Sequence, residues 1–163
     1  MAKTLKALAG IGLALVFAGR MHAQGLVTER SLSLAMAKTI AEAALAECKA
    51  KGYHTSAVVV DRAGQVLVML RDEQATMQVA EMARRKAYTA RMFRRTTMEF
   101  QERTSDPGYA AQRDIADILA LGGGVPINVG DETIGGVGSA GSTQATDDAC
   151  AKAGVAKVAN MLK

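Results

Sequence analysis

Residues 58–71 read VVVDRAGQVLVMLR. Two runs of β-branched and aliphatic residues flank Asp61-Arg62-Ala63-Gly64, a group that turns a chain tightly. The pattern predicts a buried strand over Thr55–Asp61 and its hairpin partner over Gln65–Arg71. Strands joined by so short a turn run antiparallel. Upstream, Leu34, Ala37, Ile40, Ala41, Ala44, Leu45 and Cys48 recur at helical spacing, behind Ser31 or Ser33 as a cap and ahead of Lys51-Gly52 as a stop. Downstream, Asp72–Ala75 is a link and Thr76–Arg95 is a helix without Gly or Pro inside it. Thr96-Thr97 opens a short helix to Arg103, Ser105-Asp106-Pro107-Gly108 breaks the chain, and Asp114–Leu119 fits one or two helical turns. A strand region over Ala120–Asn128, interrupted by Gly122–Gly124, turns at Gly130-Asp131 into a strand over Glu132–Ser139. A last helix is expected from Thr146, as its cap, to Met161. The order predicts an α+β fold: an antiparallel sheet of about five strands with helices packed on it in two or three layers.

The first 23 residues read as a secretory leader. Lys3 and Lys6 form a positive start, Ala7–Ala18 is a small and apolar run of twelve residues, and Met21-His22-Ala23 offers a cleavage site before Gln24. The run is too short for an anchor helix, since spanning a bilayer takes roughly 20 apolar residues. Cleavage would remove Lys3, Lys6 and Arg20 and no acid, leaving 17 basic against 16 acidic residues over 140 positions, residues 24–163. That length suits one domain, and no internal repeat or linker divides it. The near-neutral balance removes the global electrostatic case for a nucleic acid or membrane partner. The expected location is the periplasm or the extracellular space.

Cleavage also takes His22, so His54 is the one histidine of the mature chain, and a Cys₂His₂ metal site is excluded within one copy. Cys48 and Cys150 form an even pair in an exported chain, which fits a disulfide. Two buried unpaired thiols fit the same residues, and the bond requires the two helices to be neighbours.

Gly136-Val137-Gly138-Ser139-Ala140-Gly141 matches the dinucleotide fingerprint G-x-G-x-x-G between a strand and a helix. The chain ends after that helix, with no parallel strand and no acidic residue about 20 positions on, so the reading fails. Glycines that allow close approach of strand, helix or a flat ligand fit better. Arg84, Arg85, Lys86, Arg91, Arg94 and Arg95 make a basic helix on which Arg84, Tyr88, Arg91 and Arg95 share one face. Such a face is either solvated and paired with Glu81, Glu99 and Glu102 or built to grip carboxylates, which arginine holds in bidentate fashion. Asp61 fits a turn-stabilising role, and Asp72-Glu73 could bind a cation or move a proton. No nucleophile elbow of the G-x-S-x-G type is present.

Three stretches carry a resemblance: Val58–Arg71, Arg84–Ala90 (RRKAYTA) and Leu119–Gly141 (LALGGGVPINVGDETIGGVGSAG). In this order they resemble the GlcG/HbpS-like family, small haem-binding proteins also described as haem-degrading or DUF336 domains, over about Leu32 to Met161. The resemblance implies a profilin-like fold with both terminal helices on the sheet, which favours contact between Cys48 and Cys150. It implies haem as the cofactor and a homo-oligomer, an octamer or another even assembly. It also implies an iron-coordinating threonine, matching Thr89 here. Haem iron takes His, Met, Tyr or Cys more often, which adds His54 as the second candidate ligand. The expected haem-contacting set is Arg84, Arg85, Tyr88, Thr89, Arg91 and Met82, with Met77 and Met92 able to line an apolar pocket or fill core. Where relatives read Arg-x-Asp-Gly this chain has Arg71-Asp72-Glu73-Gln74, so that loop departs from the pattern.

The expected function is haem binding for sequestration, sensing or slow oxidative degradation. The alternative is an enzyme or accessory domain acting on a small organic carboxylate, with the same arginines as its grip and Asp72 or Glu73 transferring the proton. An oligomeric scaffold or sensor partner without chemistry is the third reading.

Overall fold

The computed structural model describes residues 25–163; the expected leader lies outside the described residues. Helix α1 (Leu34–Ala50) is followed by strands β1 (Ser56–Val60) and β2 (Val66–Arg71), helix α2 (Met77–Phe93) and helix α3 (Thr97–Arg103). A 3₁₀ turn at Ala110–Asp114 leads to β3 (Gly124–Val129), β4 (Glu132–Ala140) and α4 (Gln144–Lys157).

The strands form one antiparallel sheet in the order β2-β1-β4-β3. It has four strands against the expected five or so. The Gly122–Gly124 interruption ends the strand region instead of splitting it: Gly123 sits at φ +119°, outside strand geometry, and β3 starts only at Gly124. Ser33 proves to be the cap of α1, accepting from the Met36 N–H at 3.2 Å. The last helix begins earlier than expected, because Thr143 and not Thr146 is its cap.

Alternation along β1 and β4 divides the core into two. Val59 and Val137 face Ile40, Ala44 and Ala151 of α1 and α4. Val58, Val60 and Ala140 face Ala83 and Ala87 of α2 on the opposite side. The result is three layers, α1 and α4, the sheet, and α2. Glycines let the layers close. A Cβ on Gly138 would overlap the Ala83 carbonyl oxygen, and one on Gly136 the Ala87 carbonyl oxygen. Across the other face, a Cβ on Gly154 would lie 2.6 Å from the Ile40 carbonyl oxygen, so α1 and α4 pack nearly backbone to backbone. That proximity brings Cys48 and Cys150 to a Cα separation of 5.6 Å, and they are disulfide-bonded.

The glycine fingerprint is accounted for by this packing. The helix N-terminus that would cradle a pyrophosphate is filled by the chain itself: Asp147 accepts from the Ser142 N–H at 3.1 Å and hydroxyl at 2.6 Å. Among the described residues, no helix is long and apolar enough to cross a membrane.

Candidate functional site

Helix α2 covers β1, β4 and β3 and leaves most of β2 bare. Met69 pairs with Val58 and Val66 with Val60, and paired residues share a face, so both belong to the side on which α2 lies. Each is 44% exposed. At one end of this strip, Gly64 makes room for α2: a Cβ there would stand 2.8 Å from the Tyr88 ring and 2.6 Å from Met92 Cε. Past the other end β2 runs into Asp72, which is buried on the α1 side of the sheet, where it accepts from Lys49 of α1 and holds His54. Six residues of strand separate the two ends, about 20 Å. The flank of α2 above the strip carries Arg84, Tyr88 and Arg91 at helical spacing.

The structure divides the residues expected to act together. Arg84 is committed to acids, at 2.7 Å from Glu81 and 2.6 Å from Asp117. The Glu81 bond raises its pKa most, burial opposes it, and the Asp117 bond adds to the rise. Arg85 donates to the Ile118 carbonyl at 2.6 Å. Met82 packs on the core beneath α2, beside Val58 and Ala83, and is partly buried there. Tyr88 is half-buried over the Gly64 turn. Lys86, read as one of the exposed basic residues, is 2% exposed. It reaches past Gly123, donates to the Ser139 carbonyl at 3.0 Å, and pairs with Asp147 at 2.8 Å. Burial pulls its pKa down, and the Asp147 charge only partly restores it.

Thr89, the threonine that the resemblance implies at iron, lies under the 115–121 segment. Its hydroxyl is wholly buried, donates to the Arg85 carbonyl at 2.8 Å and accepts from the Leu119 N–H at 2.9 Å. The Leu119 bond ties the 115–121 segment to α2.

His54 is in the opposite situation. Its side chain is 41% exposed, and Nδ1 lies 2.8 Å from Asp72 Oδ1. The Asp72 carboxylate also accepts from the Gln74 N–H at 3.0 Å and from Lys49 at 3.1 Å. Led by the Gln74 backbone bond and reinforced by Lys49 and His54, these contacts hold its pKa down to about 2 against the opposing effect of burial. An ionised carboxylate at Nδ1 selects the tautomer with hydrogen there, leaving the Nε2 lone pair for a metal. Metal-ligating histidines are commonly oriented in this way by a carboxylate on the other ring nitrogen. Asp72 is thereby occupied in orienting His54, and Glu73 stands exposed beside it, 4.0 Å from Lys49. No cluster of three or more His, Cys, Asp or Glu arranged for a metal ion occurs among the described residues.

Arg91, at the Gly64 end of the strip beside Asp61 and Ala63, also faces a second space. It lines a cavity of about 430 Å³ with Arg30, Arg62, Arg94 and the β3–β4 turn. Sequence reasoning missed this convergence because Arg30, Arg62 and the α2 arginines lie far apart in the chain. It missed Lys86–Asp147 for the same reason. The Asp72–His54 contact had one local signal, the Asx turn that Asp72 makes with the Gln74 N–H.

The family described as haem degrading protein HbpS-like matches residues 32–156. Protein GlcG of Escherichia coli strain K12 is 33% identical over 111 residues, covering 68% of this chain and 82% of that protein. The crystal structure of HbpS superposes with a TM-score of 0.78 at 36% identity, covering 82% of this chain and 96% of the other. The PduOC:heme complex superposes with a TM-score of 0.70 at 24% identity over 77% of this chain and 94% of the other, a likeness of fold.

Proposed function

Since the chain belongs to the HbpS-like family of haem-degrading proteins, we propose that it is an exported haem-binding protein whose haem lies along the bare strip of β2. The observation that carries this reading is the strip itself. Val66 and Met69 give a flat apolar floor, and Tyr88 and Arg91 stand at one end. His54, with its free Nε2, lies beyond the far end of β2, where Asp72 is also held by Lys49 of α1. A flat apolar ring with two carboxylates and a metal needs these three kinds of partner. Arg91 would meet a propionate, since Arg84 is already neutralised by two acids. His54 would ligate the iron, with Asp72 holding its ring. The haem iron, with oxygen or peroxide, supplies the redox chemistry of slow degradation; the chain binds, orients and limits access.

Export is supported by the leader pattern and by the Cys48–Cys150 bond, which persists in oxidising compartments. Homo-oligomerisation is supported by the open β2 edge, whose VLVML run carries neither Pro nor charge to discourage pairing.

Hemin titration into the mature protein tests the site. We expect a saturable Soret shift, an affinity about tenfold weaker for Met69→Glu, and a changed Soret position and spin state for His54→Ala with the fold intact by circular dichroism. Absence of a saturable shift, or both variants behaving as the unmodified protein, rejects the site.

A further inference from the structure

The cavity at the Gly64 end of the molecule has a charge imbalance of its own. Glu132 takes both Arg30, at 2.8 Å, and Arg62. Glu29 adds a contact to Arg62 at 3.4 Å. The Arg62 bond, with Arg30 behind it, keeps Glu132 below the usual carboxylate range. Those two acids offset those two arginines. Arg91 and Arg94 face the same space, and neither has an ion pair among the described residues. Asp61 and Asp131 stand at the rim, but Asp61 spends one oxygen on the Gln65 N–H of its own turn at 2.9 Å, and Asp131 is exposed at the tip of the β3–β4 hairpin.

Arg91 shows the consequence. Its Nε is buried and has no hydrogen-bond partner. Burial first, and then the charges of Arg62 and Arg94, push its pKa down despite Asp61. A buried guanidinium donor without an acceptor is costly, and an oxyanion bonded to the cavity-lining part of the same guanidinium offsets that cost. Arg94 adds a second, independent observation. It occupies the left-handed region at φ +54° and ψ +37° at the end of α2, a position that glycine or asparagine fills with less strain. That backbone setting places a fourth arginine on the cavity. The space, about 430 Å³ with an adjoining 420 Å³ recess lined by Ser31, Asp61 and Arg91, suits a small molecule.

We propose that this cavity is a binding site for a free, small, doubly charged oxyanion, an organic dicarboxylate or a phosphate, held by Arg91 and Arg94 and walled by Arg30 and Arg62. The site does not rest on haem binding, although a propionate has the same chemistry and could reach Arg91 from the β2 strip.

The experiment separates these sources. Haem-free mature protein is titrated calorimetrically with succinate and with inorganic phosphate, chloride being held at matched ionic strength, and Arg91→Ala and Arg94→Gly are measured beside it. Arg94→Gly relieves the left-handed strain, so a merely structural Arg94 predicts equal or higher thermal stability and unchanged anion binding. We expect saturable binding of at least one anion, weakened about tenfold or more in both variants, with the melting temperature of Arg94→Gly not lowered. Absence of saturable binding of either anion by the unmodified protein overturns the proposal, as does undiminished binding by both variants. If neither anion binds while Arg91→Ala weakens hemin, the cavity serves the propionate alone; this inference fails and the haem reading stands.

Discussion

Lys86 is the residue on which the two sides of the molecule are pinned together. It starts on α2, passes the edge of the sheet at Gly123, and ends on Asp147 of α4, with both side chains 2% exposed. A buried pair is a poor source of net stability, yet removing one member leaves the other charge stranded. Lys86→Met should therefore cost about 3–5 kcal/mol in denaturant unfolding. Lys86→Met combined with Asp147→Asn, which keeps an acceptor for Ser142, should recover most of that loss. Equal destabilisation by the single and double variants would show that the charge is not the cause. The sequence RRKAYTA presents Lys86 as one more basic residue among neighbours, and only the long-range partner distinguishes it. Thr89 bonds the carbonyl four residues back, as helix threonines commonly do. Its implied role at iron came from the resemblance alone. His54 was legible only by elimination, as the last histidine left; its orientation by Asp72 needed the two strands to be brought together.

At the scale of elements, β4 sets the thickness of the molecule. Its Gly136 and Gly138 lie under the backbone of α2, and a methyl group at 138 has the Ala83 carbonyl oxygen and, at 2.7 Å, the Ala87 nitrogen in its way. Neither is a side chain that can swing aside. Gly138→Ala should lower stability by about 1–3 kcal/mol and shift the thermal midpoint downward, with α2 lifted from the sheet. An unchanged midpoint would mean that α2 is free to move. The hairpin of β1 and β2 was readable because composition and turn chemistry agree locally, and the turn bonds appear as expected, Gln65 N–H to Asp61 Oδ1 at 2.9 Å. The start of α4 was less readable. Thr143 and Thr146 can each cap a helix, and what decides between them is Asp147 folding back onto Ser142. The bare strip on β2 was not readable, since VLVML looks equally apolar whether α2 covers it or not.

For the molecule as a whole, the decisive link is Cys48–Cys150, joining α1 to α4 across 102 positions of sequence. In the chain-entropy picture a loop of about 100 residues is worth roughly 4.7 kcal/mol. Cys48→Ala with Cys150→Ala should lose about 2–5 kcal/mol relative to the oxidised protein, measured by urea unfolding with and without reductant. Reductant should leave the variant's curve unmoved. A variant as stable as the oxidised protein would mean that contacts between α1 and α4, such as Gly154 on Ile40, already hold the termini together in the unfolded ensemble.

The same bond has a topological consequence. All four strands, α2, α3 and the outward stretch from Ser105 to Asp117 lie between its two ends, so residues 48–150 form a closed covalent circle. A protease that cuts once in that stretch opens the circle without dividing it. Both pieces travel on as a single particle, and only a reductant turns the nick into fragments.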